Sequence, residues 1–291
     1  MYSPAAARRL GAPLATVSRK VAELESHLRA KLFDRSSSTL VLTDAGRTYV
    51  TAARRILTDV TEAERAAAGE YTAPTGELIV TAPVGLGRQH LIPILTDFFR
   101  AYPDIDVRLV LADRIVSLLE DQVDVGLRIG VLPDTSMIAT RVGTTRRTVC
   151  ASPAYLAARG TPDAPEALAT HDCVCYEGFS GPDAWRFVRD GAEITVPVRA
   201  RLTVASVEAA CDAARAGIGL TTAFSYHVAE AIAAGALTPV LDAFQPPALP
   251  INLVYTAGRF LPLKLRAFLD FAAPRLRRRL DDAPQLTKRA R

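Results

Sequence analysis

The residues best suited to chemistry lie near the amino terminus, between Ser3 and Leu28. One helical face there collects side chains that donate hydrogen bonds or carry positive charge: Thr16, Ser18, Arg19 and Lys20. Such groups can contact phosphate oxygens and the edges of base pairs, and a helix is narrow enough to enter the DNA major groove. Exposed basic faces also occur on helices that meet only solvent, so the pattern alone leaves both interpretations open.

Two short helices separated by a turn at Gly11–Pro13 would position this basic face. The second helix also carries an apolar stripe, recurring at helical spacing, at Val17, Val21, Leu24 and Leu28. The first helix would pack against that stripe. Two helices, a glycine-bearing turn and basic residues near the start of the second helix are typical of a helix-turn-helix.

Positive charge is concentrated in the same part of the chain. Residues 1–60 contain ten Lys/Arg and five Asp/Glu, a net charge of +5, whereas the whole chain carries +4. The excess positive charge therefore lies where a contact with a phosphate backbone would need it.

The order of these residues resembles the DNA-binding domain of LysR-type transcriptional regulators. The resemblance is carried by AAARRLGAPLATVSRKVAELESHLRAKLFDR and the following LVLTDAGRTY. It implies an N-terminal winged helix-turn-helix in residues 1–43 that binds double-stranded promoter DNA. The basic face would contact the groove, and Arg8 and Arg35 would contact phosphates. In that family another helix comes first, so we expect either about a dozen further residues upstream of Met1 or a weakened DNA-binding domain.

Residues 44–70 predict one long linker helix that begins after Thr43, a good helix-capping residue. Apolar and small residues recur along it at alternating steps of four and three: Tyr49, Ala53, Ile56, Val60, Ala63 and Ala67. This seam fits packing on its own domain or pairing of two copies, and the resemblance favours pairing. A homodimer is therefore expected, or a homotetramer if the regulatory domains also pair.

From Gly76 onward, short apolar strands alternate with helices, which predicts an α/β domain with a parallel sheet. The resemblance implies that residues 76–280 form an effector-binding regulatory domain with the two-lobed fold of periplasmic binding proteins. The first lobe would comprise residues 76–147 and 257–280, and the second would comprise residues 148–256.

Ligands of open α/β sheets bind at the carboxyl ends of strands. The residues expected there, lining a cleft for a small-molecule effector, are Thr81, Pro83, Val84, Arg128, Ser206, Thr221 and Thr222. Free backbone N–H groups at the helix entered through Val84 would suit a carboxylate, and Arg128 would hold an anionic effector group. Structural roles stay open, since Arg128 could pair with Asp124 or Asp106 and Ser206 could serve only as a helix cap.

The sequence offers no motif for an enzyme. The third glycine of a dinucleotide fingerprint would fall at His90, and no Gly-x-Ser-x-Gly, Walker loop or His-Glu-x-x-His occurs. The histidines are scattered singly, and His171-Asp172 is a lone pair without a nucleophile nearby in sequence.

The four cysteines, Cys150, Cys173, Cys175 and Cys211, lack metal-binding spacing. We expect buried, reduced thiols, with a redox-sensing pair at Cys173 and Cys175 as the alternative. The chain has no apolar run of transmembrane length and no signal-peptide core. A cytoplasmic protein without a cofactor, a metal site or a membrane partner is expected.

These features together are interpreted as a transcriptional regulator, not an enzyme, whose promoter binding is modulated by a small molecule. The alternative is a small-molecule binding protein of periplasmic-binding type whose shortened amino terminus no longer grips DNA. Salt-dependent binding to promoter DNA would separate the two.

Overall fold

The computed structural model describes residues 11–34, 41–67, 73–114, 116–118, 121–131, 137–177, 184–257 and 261–282. The chain divides into two compact units, Met1–Thr72 and Ala73–Arg291. Two predicted features lie outside the described residues: the first helix with Arg8, and Arg35.

The first unit contains two helices and a small antiparallel ladder. Helix α1 (Leu14–Leu28) is followed by strands β1 (Phe33–Asp34) and β2 (Val41–Leu42) and by helix α2 (Asp44–Ala67). Phe33 pairs with Leu42 across the ladder. The order of helix, wing and linker helix is the one that the sequence predicted.

A buried carboxylate connects α1 to β1. Glu25 is 3% exposed, and its Oε1 accepts hydrogen bonds from the backbone N–H groups of Leu32 (2.8 Å) and Phe33 (3.3 Å). Burial acts to raise the pKa of Glu25, but these two N–H groups and Lys31 outweigh it and hold the pKa below its usual value. Glu25 therefore fixes the turn between helix and wing as an ionised group.

The start of α2 is fixed by Thr43 and Gly46. Thr43 Oγ1 accepts a hydrogen bond from the Gly46 N–H (2.9 Å) and donates one to the Lys31 carbonyl (2.6 Å), so Thr43 is the predicted helix cap. A Cβ atom at residue 46 would collide with the Leu32 carbonyl. The glycine is required because the helix start lies directly against the chain that leaves α1.

The second unit is built on two five-stranded sheets. Its strands in chain order are β3 (Gly76–Ala82), β4 (Ile105–Leu111), β5 (Val125–Ile129), β6 (Met137–Thr145), β7 (Arg147–Ala151), β8 (Asp172–Tyr176), β9 (Ala184–Arg189), β10 (Ala192–Pro197), β11 (Arg199–Val204), β12 (Leu220–Phe224), β13 (Thr238–Val240) and β14 (Leu249–Thr256). The first sheet has the order β4-β3-β5-β14-β6 and the second β11-β8-β12-β7-β13. Strands β9 and β10 form a separate hairpin.

Helices connect the strands, and a longer one follows β14. In chain order they are α3 (Val84–Leu86), a π-helical turn (Gly87–Leu91), α4 (Ile92–Ala101), α5 (Pro153–Arg159), a 3-10 helix (Pro165–Thr170), α6 (Val207–Arg215), α7 (Ser225–Ala233), a second 3-10 helix (Asp242–Phe244) and α8 (Leu263–Asp281). Phe98 of α4 and Phe268 of α8 are fully buried and meet edge to face, with ring centroids 5.5 Å apart, in the core of the first sheet. Phe187 and Trp185 of the hairpin lie in the core of the second.

Two predictions about this unit were wrong. Both sheets are mixed, since β14 runs antiparallel to β5 and β6, and β7 runs antiparallel to β12 and β13. Strand β14 also belongs to the first sheet, so residues 148–256 do not all lie in the second lobe. In the first sheet the cause is β14, which returns from the second sheet and enters against the direction of β5, and in the second sheet it is β7, which enters from the first sheet against the direction of β12.

The four cysteines are buried free thiols, as predicted. Burial raises the pKa of Cys173 and Cys211 to about 12, which keeps both protonated at neutral pH. The described residues contain no group of three or more His, Cys, Asp or Glu that could hold a metal ion. Among the described helices, none combines the length and apolarity that a membrane crossing requires.

Candidate functional sites

The basic face of α1 is open to solvent at its charged residues. The side chains of Arg19 and Lys20 are 70% and 71% exposed, and Thr16 and Ser18 are half-buried. Glu23 lies beside both cations, 3.6 Å from Arg19 Nε and 3.2 Å from Lys20 Nζ. Exposed pairs of this kind contribute little to stability, so a phosphate group can replace Glu23 at small cost.

Helix α2 exposes large apolar side chains. Ile56 is 61% exposed, Leu57 66% and Val60 47%. The predicted seam residues Tyr49 and Ala53 are half-buried, whereas the side chains of Ala63 and Ala67 lie outside the described set. A run of exposed apolar residues on one helix is typical of a surface that pairs with another protein.

A cavity of about 290 Å³ lies between the two sheets of the second unit, where their strands end. Four arginines and one aspartate line it: Asp113, Arg114, Arg128, Arg147 and Arg186. The first three belong to the first lobe and the last two to the second. The lining of the cleft thus has more cationic groups than carboxylates, and such an excess of positive charge attracts anions.

Arg128 reaches the cleft along a path that a neighbouring glycine leaves open. A Cβ atom at Gly126 would lie 3.2 Å from Arg128 Cζ. The guanidinium donates to the carbonyls of Val116 (2.8 Å) and Leu127 (3.2 Å), and burial lowers its pKa. Within the described residues Arg128 therefore bonds to carbonyl oxygens instead of pairing with Asp124 or Asp106.

Aromatic rings form the opposite wall of the cleft. The guanidinium of Arg147 lies over the Phe224 ring, 5.1 Å from its centroid, and Phe224 stacks on Tyr226 at 5.9 Å. Tyr226 is 8% exposed and packs into the hydrophobic core of the first sheet, edge-on to His90. Tyr226, which belongs to the second lobe, thus packs into the core of the first lobe.

His227 contacts the first lobe beside this anchor. A Cβ atom at Gly85 would overlap its imidazole ring and lie 3.1 Å from Tyr226 Cε2. Burial lowers the pKa of His227 to about 4, although the nearby Asp113 acts in the opposite direction. The imidazole that lines the cleft is therefore neutral at physiological pH.

Several predicted effector residues do not line the cavity. Val84 donates its N–H to Asp113 Oδ1 (3.0 Å), so the helix start that was expected to be free is occupied. Thr221 is fully buried and donates to the Val174 carbonyl (3.0 Å). Ser206 caps α6 by accepting from the Ala209 N–H (3.2 Å).

The remaining predicted positions divide in the same way. Thr81 is fully buried within β3, which continues to Ala82, and Thr222 is 9% exposed within β12, which continues to Phe224. Pro83 and Arg128 do line the cavity. Two of the predicted residues therefore line the cleft. On β12 the lining residue is Phe224, two positions beyond the predicted Thr222.

Three of the four arginines that line the cleft, Arg114, Arg147 and Arg186, were not predicted from the sequence. The positions of Arg114 and Arg186 could have been inferred from the local sequence. Asp113-Arg114 lies just beyond the end of β4, at the carboxyl end of a strand, where ligands of open α/β sheets bind. Arg186 lies on the β9–β10 hairpin, whose turn is Asp190-Gly191, with φ of 51° and 79°. An Asp-Gly dipeptide between alternating apolar residues predicts such a hairpin. Arg147, the first residue of β7, had no local signal.

Comparison with known proteins places the two units in one family. Residues 4–47 match the bacterial regulatory helix-turn-helix protein, lysR family, and residues 72–277 match the LysR substrate binding domain. An HTH-type transcriptional regulator of Xanthomonas campestris pv. campestris is 33% identical over 276 residues, covering 94% of this chain and 80% of the relative. The HTH-type transcriptional regulator CrgA of Neisseria meningitidis serogroup C is 34% identical over 275 residues, covering 93% and 91%.

Solved structures agree with this assignment. The structure of CrgA, a LysR-type transcriptional regulator from Neisseria meningitidis, matches with a TM-score of 0.63 at 32% identity, covering 93% of this chain and 92% of that one. The full-length structure of the Vibrio cholerae virulence activator AphB matches with a TM-score of 0.62 at 25% identity, covering 91% of each chain. The chain belongs to the LysR family and is a LysR-type transcriptional regulator, with a helix-turn-helix DNA-binding domain and an effector-binding regulatory domain.

Proposed function

We propose that α1 places its basic face in the major groove of promoter DNA. Thr16, Ser18, Arg19 and Lys20 would contact base edges, and Arg8 and Arg35 would contact flanking phosphates. The observation that carries this proposal is the exposure of Arg19 and Lys20, whose ion pairs among the described residues are with the solvent-exposed Glu23. Arginine in the groove typically binds guanine through two hydrogen bonds.

Substitution of Arg19 tests the groove contact. Arg19→Ala should weaken binding to the promoter fragment upstream of the gene by about tenfold to a hundredfold in a gel-shift assay, because one base contact is lost. Glu23→Gln is the matched control on the same face and should bind as tightly as the native protein or more so. Unchanged affinity of Arg19→Ala, with an unaltered circular dichroism spectrum, would remove α1 from the interface.

We further propose that α2 pairs two copies of the chain. The exposed side chains of Ile56, Leu57 and Val60 support this, because burying them against a second α2 removes apolar surface from water. Two copies present two α1 helices to the half-sites of a partly palindromic promoter site. Ile56→Glu should shift the protein to a smaller species in sedimentation velocity, whereas Glu64→Gln, an exposed change on the same helix, should not.

We propose that the cleft binds an anionic small-molecule effector with an apolar or aromatic body, and that occupancy modulates promoter binding. Four arginines against one carboxylate support the negative charge. The wall formed by Phe224 and Tyr226 supports the apolar body, since such rings stack on flat or apolar groups. The proposed role of the second unit is binding, not catalysis.

A thermal-shift panel tests the effector class. Aliphatic and aromatic mono- and dicarboxylates should stabilise the full chain, and the corresponding amides should not, because only the acids use the arginines. Arg147→Ala should remove most of the stabilisation while promoter binding in the absence of ligand is retained. Equal stabilisation by acids and amides would contradict an anionic effector.

A further inference from the structure

A cluster of charged side chains lies at the edge of the second sheet that faces away from the cleft. Strands β8 and β11 run parallel, with Asp172 opposite Arg199 at their first residues and Tyr176 opposite Val204 at their last. Tyr176 lines the cleft, so Asp172 lies at the opposite end of β8. At about 3.3 Å per residue, the two ends of this five-residue strand are about 13 Å apart.

Three arginines share the carboxylate of Asp172. Arg201 Nη1 lies 3.0 Å from Asp172 Oδ2, Arg159 Nη2 lies 3.6 Å from the same oxygen, and Arg199 Nη1 lies 3.6 Å from Oδ1. The carboxylate is buried, with the side chain 8% exposed, whereas the three arginine side chains are 49% to 67% exposed. The negative charge is thus covered, and the positive charges above it face solvent.

Arg189 and Arg215 of the same lobe are each paired one to one with a carboxylate. Arg189 donates to both oxygens of Glu166, at 2.8 and 2.6 Å, and Arg215 donates to Asp212 at 3.2 Å. Within the described residues, three arginines at Asp172 have a single carboxylate between them. The arginine cluster (Arg159, Arg199 and Arg201 around Asp172) therefore carries an excess of two positive charges.

The backbone aims two of these arginines at the same point. The register between β11 and β8 shifts between Ala200 and Leu202, which leaves Arg201 without a partner residue on β8. An extra residue of this kind re-aims a side chain relative to a regular strand. The shift brings Arg201 within hydrogen-bonding distance of the carboxylate that Arg199 approaches from the strand start.

A buried network holds Asp172 in place. The Asp172 N–H donates to Tyr155 Oη (2.9 Å), and Tyr155 Oη lies 3.2 Å from His171 Nδ1. Tyr155 and His171 are 6% and 5% exposed. Burial lowers the pKa of His171, and the positive charge of Arg159 lowers it further. The negative charge of Asp172 acts to raise it but does not reverse the shift. The His171-Asp172 pair singled out in the sequence is therefore a fixed support for the carboxylate.

We propose that the arginine cluster binds a phosphoryl dianion. Three like charges gathered on one carboxylate repel one another, and an anion of charge near −2 between their exposed ends would remove that repulsion. A guanidinium has five N–H donors, so its contact with Asp172 leaves donors for phosphate oxygens. The cluster is compact, which favours a small phosphate over duplex DNA, because a duplex requires an extended row of basic residues.

Calorimetric titration of the full chain tests the proposal with inorganic phosphate and glycerol 3-phosphate as probes and dimethyl phosphate, a monoanion, as the reference. At constant ionic strength, the two dianions should bind more tightly than dimethyl phosphate. The double variant Arg199→Ala/Arg201→Ala should weaken phosphate binding by about tenfold or more, the effect of losing charge-assisted hydrogen bonds. Arg189→Ala, which breaks a one-to-one pair on the same lobe, should change it less than twofold.

The cationic cleft gives its own phosphate signal, so the deciding readout is the difference between the native protein and the double variant. That difference should persist in an Arg147→Ala background, in which the cleft is impaired. If the double variant does not fold, Arg199→Lys/Arg201→Lys is the substitute. It keeps the positive charges, loses the planar guanidinium groups and should still weaken phosphate binding.

Tighter binding of glycerol 3-phosphate than of phosphate would identify a phosphate ester as the source of the ligand, and equal binding would identify free phosphate. Equal binding by the native protein and the variant, or a preference for the diester, would overturn the proposal.

Discussion

The proposed DNA-binding face and the cleft differ in how the chain assembles them. The basic face comes from four residues within one short stretch of one helix, between Thr16 and Lys20, with Glu23 one turn further on. The cleft comes from residues that span Pro83 to Leu249 and from both sheets of the second unit. A site carried by one helix depends on how that helix is fixed to its neighbours, whereas the cleft depends on the contact between two lobes.

The charges of the two sites are also held differently. Arg19 and Lys20 meet an exposed carboxylate that can be exchanged for another anion. Arg128 is half-buried and bonded to two backbone carbonyls, and Arg147 lies against an aromatic ring. The first arrangement suits contact with many phosphates and bases, and the second suits one ligand of defined shape.

The substitution Gly46→Ala should affect the two sites most differently: it should impair promoter binding and leave carboxylate binding in the cleft unchanged. The new methyl group would collide with the Leu32 carbonyl and displace α1 and the wing from the start of α2. Overpacking of this kind costs about 1–3 kcal/mol or more, so promoter binding in a gel shift should fall by at least tenfold. Ala45→Ser, at an exposed neighbouring position, is the control. Carboxylate stabilisation of the second unit should remain unchanged in both, and promoter binding retained by Gly46→Ala would refute the tight approach.

Gly85→Ala should have the opposite effect: it should weaken carboxylate binding in the cleft and leave promoter binding almost unchanged. The added methyl group would overlap the His227 ring, push the lobes apart and weaken binding of the best carboxylate from the thermal-shift panel by about tenfold. Promoter binding without ligand should change less than twofold. Gly130→Ala gives a comparison at a glycine with open space around it, although its positive φ adds some strain. Loss of promoter binding in Gly85→Ala alone would mean that the two sites are not separable.

The pH dependence of stability should also distinguish the units. His90 and His227 in the second unit have pKa values lowered to about 4 by burial, below the usual value of 6.5. The unfolded chain therefore takes up more protons as the pH falls from about 6.5 to 4, and the second unit loses stability over that window. Trp185 is the only tryptophan and is buried in this unit, so its fluorescence reports urea unfolding. His227→Gln should make the midpoint less dependent on pH, and an unchanged slope would contradict the assigned burial.

The smallest effect is expected at Glu25 in the first unit. Because its folded pKa lies below the usual 4.5, its contribution to stability is complete above the unfolded pKa and is lost as pH falls through the folded value. The protection factors of the Leu32 and Phe33 amides, which correct for the intrinsic exchange rate at each pH, should therefore fall only in acid. Glu25→Gln should lower these protection factors at neutral pH by about tenfold, because the two N–H groups then bond to a neutral oxygen in place of a carboxylate. Protection that is equal in both proteins would exclude Glu25 as the acceptor.

The contrast between the sites also explains what the sequence could predict. The contiguous elements were accessible: α2 begins at Asp44, as predicted for the linker helix, and Thr43 caps it. The direction of β14 was not accessible, because an apolar strand has the same pattern whichever way it enters a sheet. The Asp190-Gly191 hairpin turn had a local signal that would have led to Arg186.

The effector residues were harder for a related reason. Thr221 and Thr222 were chosen as a strand end, but two further residues of β12 separate them from the cleft. In a strand, a shift of one position turns a side chain to the other face of the sheet, so a small error in a boundary changes which residues meet the ligand. Arg147 is placed by the crossover between sheets, and only the assembled fold brings it to Phe224.

The most direct test of the account is a paired measurement on Arg19→Ala and Arg147→Ala, with promoter affinity and carboxylate-induced stabilisation recorded for each. We predict that Arg19→Ala loses promoter affinity and keeps the carboxylate response, and that Arg147→Ala keeps promoter affinity and loses the response. If both variants lost the same property, or neither lost either, the assignment of DNA contact to α1 and anion binding to the cleft would be contradicted.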